Sequence, residues 1–169
     1  MVTCVVLSAL PVSAGIPYCW FNKWINTGYG WVKAPTTVYT TVGADVHWQM
    51  AISIAPPGGL SGSITDVVVS DRFGAEWEIE EITTVSQGTV TTWTKGASEK
   101  VFLEWDVGTL DLGEMAYIII QISTDLNPSG KQEYTSPGCY ELNSGAVLKF
   151  TFEGKQYSAY TLPIHVSVE

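Results

Sequence analysis

Apolar and polar residues alternate with a period of two along most of the chain, which is the spacing of β-strands with one buried face. Nowhere does the spacing of an amphipathic helix persist over about twelve residues without Gly, Pro or β-branched residues intruding. The pattern predicts about ten strands. They are Thr36–Thr41, Val46–Ile54, Ile64–Ser70, Glu76–Thr83, Thr89–Thr94, Lys100–Trp105, Met115–Ser123, Ala146–Phe152, Lys155–Thr161 and Ile164–Val168.

The clearest hairpin joins the strands on either side of Glu153 and Gly154. Leu148, Phe150 and Phe152 share one face of the first strand, and the two intervening residues suit a tight turn. Similar Gly-, Pro- and Asn-containing turns separate the other strands. Short strands at this spacing predict an all-β sandwich.

The first 35 residues differ from the rest. Met1–Ala14 is apolar and ends in Val12-Ser13-Ala14, so residues 1–14 are expected to be a signal-like segment cleaved before Gly15, or else an N-terminal core strand. The segment is shorter than the ~20 residues of a membrane span, so we expect no transmembrane segment. Residues 15–35 are aromatic-rich and predict an N-terminal extension or edge strand, followed by one sandwich domain over residues 36–169.

Composition narrows the class of partner. Apolar residues make up 46% of the chain and charged residues 15%, which excludes intrinsic disorder. Eight Lys and Arg against seventeen Asp and Glu leave a net charge of -9. A nucleic-acid backbone or an anionic membrane surface would repel such a chain, so we expect neither as a partner.

Candidate catalytic groups are few. His47 and His165 both lie within strand patterns, and neither accompanies a nucleophile motif or a second metal ligand. Glu76, Glu78 and Glu80 share one strand face, a pattern typical of a solvated stripe. A calcium site among loop carboxylates lacks the required spacing. We therefore predict no enzymatic activity, no catalytic residue, no metal site and no cofactor.

The cysteines leave three alternatives open. None of Cys4, Cys19 and Cys139 forms a C-x-x-C pair, so a zinc or dithiol redox site has no support. If residues 1–14 are removed, Cys19 and Cys139 remain. They could close a loop of about 120 residues, link neighbouring subunits, or be buried free thiols.

The number of aromatic residues suggests that some of them form an exposed binding surface. Seven Trp and eight Tyr exceed what one small core needs. Trp20, Trp24 and Trp31 would form an exposed platform, either an interface between subunits or a sugar-binding face. The interface is the favoured interpretation.

Two segments resemble a known family. Ile64–Asp71 (ITDVVVSD) and Trp105–Glu114 (WDVGTLDLGE) are similar to the immunoglobulin-like surface-repeat domains of prokaryotic cell-envelope proteins, notably those of methanogenic archaea. The segments Asn127–Gly138 and Leu142–Ala146 resemble a variant of the same family. The resemblance covers roughly residues 44–152. It implies an immunoglobulin-like antiparallel β-sandwich at the cell surface, and a single copy suggests a sheath, pilus or surface-layer subunit.

Strand edges offer a route to assembly. An edge strand without charge, Pro or bulges can pair with another chain. Tyr117–Ile122 has a suitable composition but fits a central buried strand better. The candidate pairing residues are Thr36, Val38, Thr40, Thr89, Thr91 and Trp93. We therefore expect an extracellular structural subunit that forms a homopolymer, with a carbohydrate-binding module that engages surface glycan as the alternative.

Overall fold

The computed structural model describes residues 19–58, 61–95, 100–124 and 134–169, which contain thirteen β-strands and no helix. A membrane-spanning helix is accordingly not found in these ranges. The first seven strands are β1 Trp20–Asn26, β2 Trp31–Lys33, β3 Thr36–Thr40, β4 His47–Ala55, β5 Ser63–Arg72, β6 Glu78–Val85 and β7 Thr89–Lys95. The remaining six are β8 Lys100–Asp111, β9 Ala116–Ser123, β10 Gly138–Asn143, β11 Val147–Phe152, β12 Lys155–Tyr160 and β13 Ile164–Val168.

Two five-stranded antiparallel sheets form the sandwich. Their strand orders are β2-β1-β4-β9-β6 and β12-β11-β5-β8-β7. The run β1-β4-β9-β6 reproduces the A-B-E-D order of an immunoglobulin domain, and β5-β11-β12 reproduces C-F-G. The predicted immunoglobulin-like antiparallel β-sandwich is therefore confirmed, with β2 added at one sheet edge and the β7–β8 pair added beyond β5.

A third sheet of three strands completes the structure, in the order β10-β13-β3. β13 pairs antiparallel with β10 and parallel with β3. This sheet matters for the site below because β10 ends at Asn143.

One hydrophobic core runs through the described residues. Inward-facing residues at period two supply it, for example Ile118, Ile120 and Ile122 of β9. Trp48 and Trp77 stack with ring centroids 5.2 Å apart. The indole N–H of Trp77 donates to Tyr134 Oη at 2.5 Å, so this buried donor is satisfied. The core takes up three of the seven tryptophans, since Trp48, Trp77 and Trp105 are buried.

All ten predicted strands are present; nine have ends within about two residues of the prediction, whereas β8 continues past Trp105 to Asp111 and is longer than predicted. The aromatic-rich segment supplies β1 and β2, and β1 pairs with β4 along its whole length. Glu153 and Gly154 have φ of 48° and 75°, as a two-residue hairpin turn requires. β10 was not predicted, because its sequence GCYELN lacks clean alternation. Residues 1–14 lie outside the described residues.

Candidate functional site

A lysine occupies a core position in β1. Lys23 lies between Phe21 and Ile25 on the inward face of the strand, where period two places apolar side chains. Only 1% of Lys23 is exposed, and Lys is almost never buried to this degree without a partner. Its ammonium group must therefore find polar groups inside the sandwich.

The first of these groups is Asp71, on the facing sheet. Val67, Val69 and Asp71 share the inward face of β5, and both the Asp71 and Lys23 side chains are fully buried. Asp71 Oδ2 lies 3.5 Å from Lys23 Nζ. The other oxygen, Oδ1, accepts a hydrogen bond from the backbone N–H of Arg72 at 2.8 Å.

The second group is Asn143, which is fully buried at the end of β10. The backbone around it is tied to the end of β5: Gly74 N–H donates to Leu142 O at 2.9 Å, and Ser144 N–H donates to Arg72 O at 2.8 Å. A Cβ at residue 74 would lie 2.5 Å from Glu141 O, so this close approach requires glycine.

Lys23 Nζ contacts Asn143 directly. It donates hydrogen bonds to Asn143 Oδ1 and to the backbone oxygen of Ser144. Asn143 Nδ2, in contrast, is buried with no hydrogen bond of good geometry among the described residues, although the Asn143 side chain is close enough to the Asp71 carboxylate to lower the pKa of that group. An unpaired buried polar group is costly and calls for a functional explanation. We refer to these three residues as the Lys23–Asp71–Asn143 cluster.

Burial dominates the electrostatics of the cluster. Burial lowers the pKa of Lys23, against the opposing attraction of Asp71 and, more weakly, of Glu141. Burial likewise raises the pKa of Asp71, although the Lys23 charge and hydrogen bonds to the carboxylate act in the other direction. Both shifts favour the neutral forms, an amine and a carboxylic acid. The cluster thus brings together a nucleophile, a proton carrier and a carboxamide.

The candidate pairing residues Thr89, Thr91 and Trp93 lie on β7, which ends the second sheet. All three side chains are exposed. Trp93 stacks on Phe102 of β8 with ring centroids 5.8 Å apart. The outer side of β7 has no partner strand within the described ranges.

The other three candidates, Thr36, Val38 and Thr40, lie on β3 at the end of the three-stranded sheet. Val38 is buried, whereas the threonines are half-buried. Tyr117–Ile122 belongs to β9, an interior strand between β4 and β6.

The three candidate interface tryptophans follow β1 and β2. Trp20 and Trp31 are 62% and 44% exposed, and Trp24 is half-buried. Trp24 and Trp31 line one apolar surface hollow of about 350 Å³ together with Met115, Tyr117 and Ile119. Trp20 lines a different, smaller hollow of about 200 Å³.

The two candidate cysteines are both free in the structure. Cys19 is buried and Cys139 is exposed. Burial raises the pKa of Cys19 to about 11.

His47 lies on the surface between two carboxylates. Its Nε2 is 3.0 Å from Asp45 Oδ1 and its Nδ1 is 2.9 Å from Glu80 Oε1. In the described part of the chain, no three His, Cys, Asp or Glu side chains are grouped as metal ligands would be.

The sequence analysis missed the Lys23–Asp71–Asn143 cluster. A signal existed for two of its members, because Lys23 and Asp71 interrupt apolar period-two faces of strands. Asn143 carried no such signal, since β10 itself was not predicted.

The chain was compared with protein families, with protein sequences and with solved structures. No family model matches the chain, so the resemblance to archaeal surface repeats stays a prediction. An uncharacterised protein of Archaeoglobus fulgidus is 35% identical over 107 residues, which are 60% of this chain and 35% of that protein. The chain thus spans about a third of the length of this relative.

Among solved structures, the major pilin subunit BcpA of Bacillus cereus is 14% identical with a TM-score of 0.49, over 89% of this chain and 40% of that one. The full-length major pilin SpaD of Corynebacterium diphtheriae is 11% identical with a TM-score of 0.48, over 87% and 35%. A non-cellulosomal cohesin of Archaeoglobus fulgidus is 12% identical with a TM-score of 0.43, over 79% and 86%.

Proposed function

We propose that this protein is an extracellular structural subunit of the cell envelope that associates with copies of itself by strand pairing along β7. The supporting observation is that β7 is an edge strand with an uncharged run and regular pairing to β8. No residue from Thr89 to Thr94 is charged, and β7 pairs with β8 without a register shift. Soluble proteins usually protect such a strand with charges, Pro or bulges, and β7 has none of these from Thr89 to Thr94; its single charged residue is Lys95, at the end of the strand.

An edge strand of the other sheet, β6, carries the protection that β7 lacks. β6 ends the first sheet and carries Glu78, Glu80 and Glu81. Its pairing with β9 also shifts register twice. Charges and irregularities of this kind discourage pairing, so the contrast between β6 and β7 supports selective association along β7.

The second sheet can extend in one direction from copy to copy. Its five strands are antiparallel to their neighbours, so the two edge strands, β7 and β12, run in the same direction. β12 contains one charged residue, Lys155. Pairing β7 of one copy with β12 of the next is head-to-tail, and such contacts generate filaments or rings.

A charge placed on β7 tests the proposal. Thr91→Lys puts a cation on the exposed edge, and we expect it to abolish polymers seen by electron microscopy and to shift sedimentation to the monomer. The matched control is Thr65→Lys, the same change at an exposed threonine of the interior strand β5. It should leave assembly intact. A wild-type protein that stays monomeric at high concentration, or equal assembly of both variants, would contradict the proposal.

The apolar hollow supports glycan binding as a second candidate. Trp24 and Trp31 present aromatic surface there, a feature that can stack on sugar rings. Binding of a soluble glycan by the monomer, lost in Trp31→Ala, would favour this function over self-association.

A further inference from the structure

We propose that Lys23 and Asn143 become joined by an amide bond between Nζ and Cγ, formed within the folded chain with release of ammonia and with Asp71 as the catalytic acid and base. The proposal does not depend on self-association, since all three residues belong to one chain.

Position is the first argument. Lys23 Nζ contacts the Asn143 carboxamide directly, and both side chains are buried. Each is fixed by its own strand, β1 or β10, and β10 is held by backbone hydrogen bonds to residues 72 and 74. Groups held together in this way react as if at very high concentration, because folding has already removed their freedom of motion.

Protonation is the second argument. An ammonium group has no lone pair and cannot attack a carbonyl carbon, but burial favours the neutral amine at Lys23. A carboxylate could not donate a proton to the departing nitrogen, but burial favours the acid form of Asp71. Glu141, which attracts the positive charge on Lys23, is itself paired with Arg72 Nη2 at 3.1 Å.

The leaving group is the third argument. Asn143 Nδ2 is a buried donor with no well-formed hydrogen bond among the described residues, and its departure as ammonia removes that poorly satisfied group. The Asn143 side chain also lies near the Asp71 carboxyl group, the group that would supply the proton to the departing nitrogen. The reaction also converts the buried Lys23 amine and the Asn143 primary amide into one neutral secondary amide. The core then contains fewer polar N–H groups that need hydrogen-bond partners. Asp71 and Ser144 line a surface hollow of about 400 Å³, which gives ammonia a route to solvent.

The reaction balances without any other reagent. The lone pair of Nζ adds to Cγ, forming the Nζ–Cγ bond, and the Cγ–Nδ2 bond breaks as the tetrahedral intermediate collapses. Asp71 passes its proton to Nδ2 and takes one from Nζ, so its carboxyl group ends as it began. Nothing is oxidised or reduced, and the products are one amide and one ammonia.

The mass of the purified full-length protein tests the proposal directly. We expect the intact mass to be lower than the sequence mass by about 17 Da, the mass of ammonia. After trypsin digestion, cleavage after Lys23 should be absent, and the peptide that runs through Lys23 to Lys33 should be joined to the peptide that ends at Lys149. A folded wild-type protein with the full sequence mass would overturn the proposal.

A cyclic imide at Asn143 also loses ammonia, so the linked peptide decides between the two products. A mass deficit accompanied by normal cleavage after Lys23 would overturn the proposal. Lys23→Arg should restore the full mass, whereas Lys33→Arg, the same change at an exposed lysine of β2, should keep the deficit. Asp71→Asn should slow formation of the link, and a folded Asp71→Asn protein that is fully linked would overturn the role of Asp71.

Discussion

Burial has opposite chemical effects on two nucleophilic residues near the start of the described chain. It favours the neutral form of each side chain, which for Lys23 is a reactive amine and for Cys19 is an unreactive thiol. The difference between them is thus set by the charge of their protonated forms. Cys139, by contrast, is exposed.

Thiol labelling should therefore distinguish the two cysteines. With its pKa raised to about 11, Cys19 is about one part in a thousand thiolate at pH 8, and its burial blocks access further. We expect iodoacetamide to modify Cys139 in the native protein and Cys19 only after unfolding or near pH 11. In a Cys4→Ser background, native Cys139→Ser protein should take up no label at pH 8, and rapid labelling of Cys19 in that variant would contradict this assignment.

The residues of the cluster differ in how far sequence alone could identify them. Period two along β1 and β5 places Lys23 and Asp71 on inward faces, and a polar residue on an apolar face is a recognisable signal. Asn143 follows a register irregularity between Glu141 and Asn143, so alternation does not show which way its side chain points. The contact among the three residues depends on the tertiary structure, because their strands belong to three different sheets. A local sequence pattern therefore does not predict it.

At the scale of elements, β10 pairs with β13 and also makes one close backbone contact with the segment that follows β5. The segment after β5 approaches β10 so tightly that residue 74 has no room for a side chain. Phe73 forms a β-bridge with Asn143 beside this contact. Gly74 therefore helps to place Asn143 through the backbone of β10.

Gly74→Ala should destabilise the fold. Its Cβ would meet Glu141 O at 2.5 Å, and overpacking of this kind costs about 1–3 kcal/mol. Urea denaturation should show a lower midpoint for this variant. Gly58→Ala is the matched control, since the nearest atom to its Cβ would be 3.6 Å away, an ordinary contact. Equal midpoints for the two variants would contradict this role for Gly74.

The strands themselves were largely predictable, since ten of thirteen follow from alternation and turn residues. β1 and β2 were recognised only as an extension or edge strand, because Trp, Asn and Lys alternate with no clear polar face there. The edge positions of β3 and β7 agree with their composition, yet sheet order depends on long-range pairing that no local pattern encodes.

At the scale of the whole molecule, a Lys23–Asn143 bond would close a ring that contains most of the sandwich. The two residues are 120 positions apart in the chain. Closing a loop of that size stabilises the folded state by about 5 kcal/mol in the chain-entropy model, because the unfolded chain loses conformational freedom.

The ring should also be visible in the denatured chain. We expect wild-type protein, boiled in detergent with reductant, to migrate faster on a gel than Lys23→Arg, since a looped chain is more compact. The comparison does not depend on whether the variant folds, because both proteins are denatured when measured. Lys33→Arg should migrate with the wild type, and identical mobility of all three would contradict the ring.

The placement of this bond has a mechanical consequence. Tension applied to the two ends of the chain would enter through β1 and pass across the bond to β10, so residues 24–142 would carry no load. The strands within that stretch, β2 to β9, would be spared a pull that unravels a chain held only by hydrogen bonds.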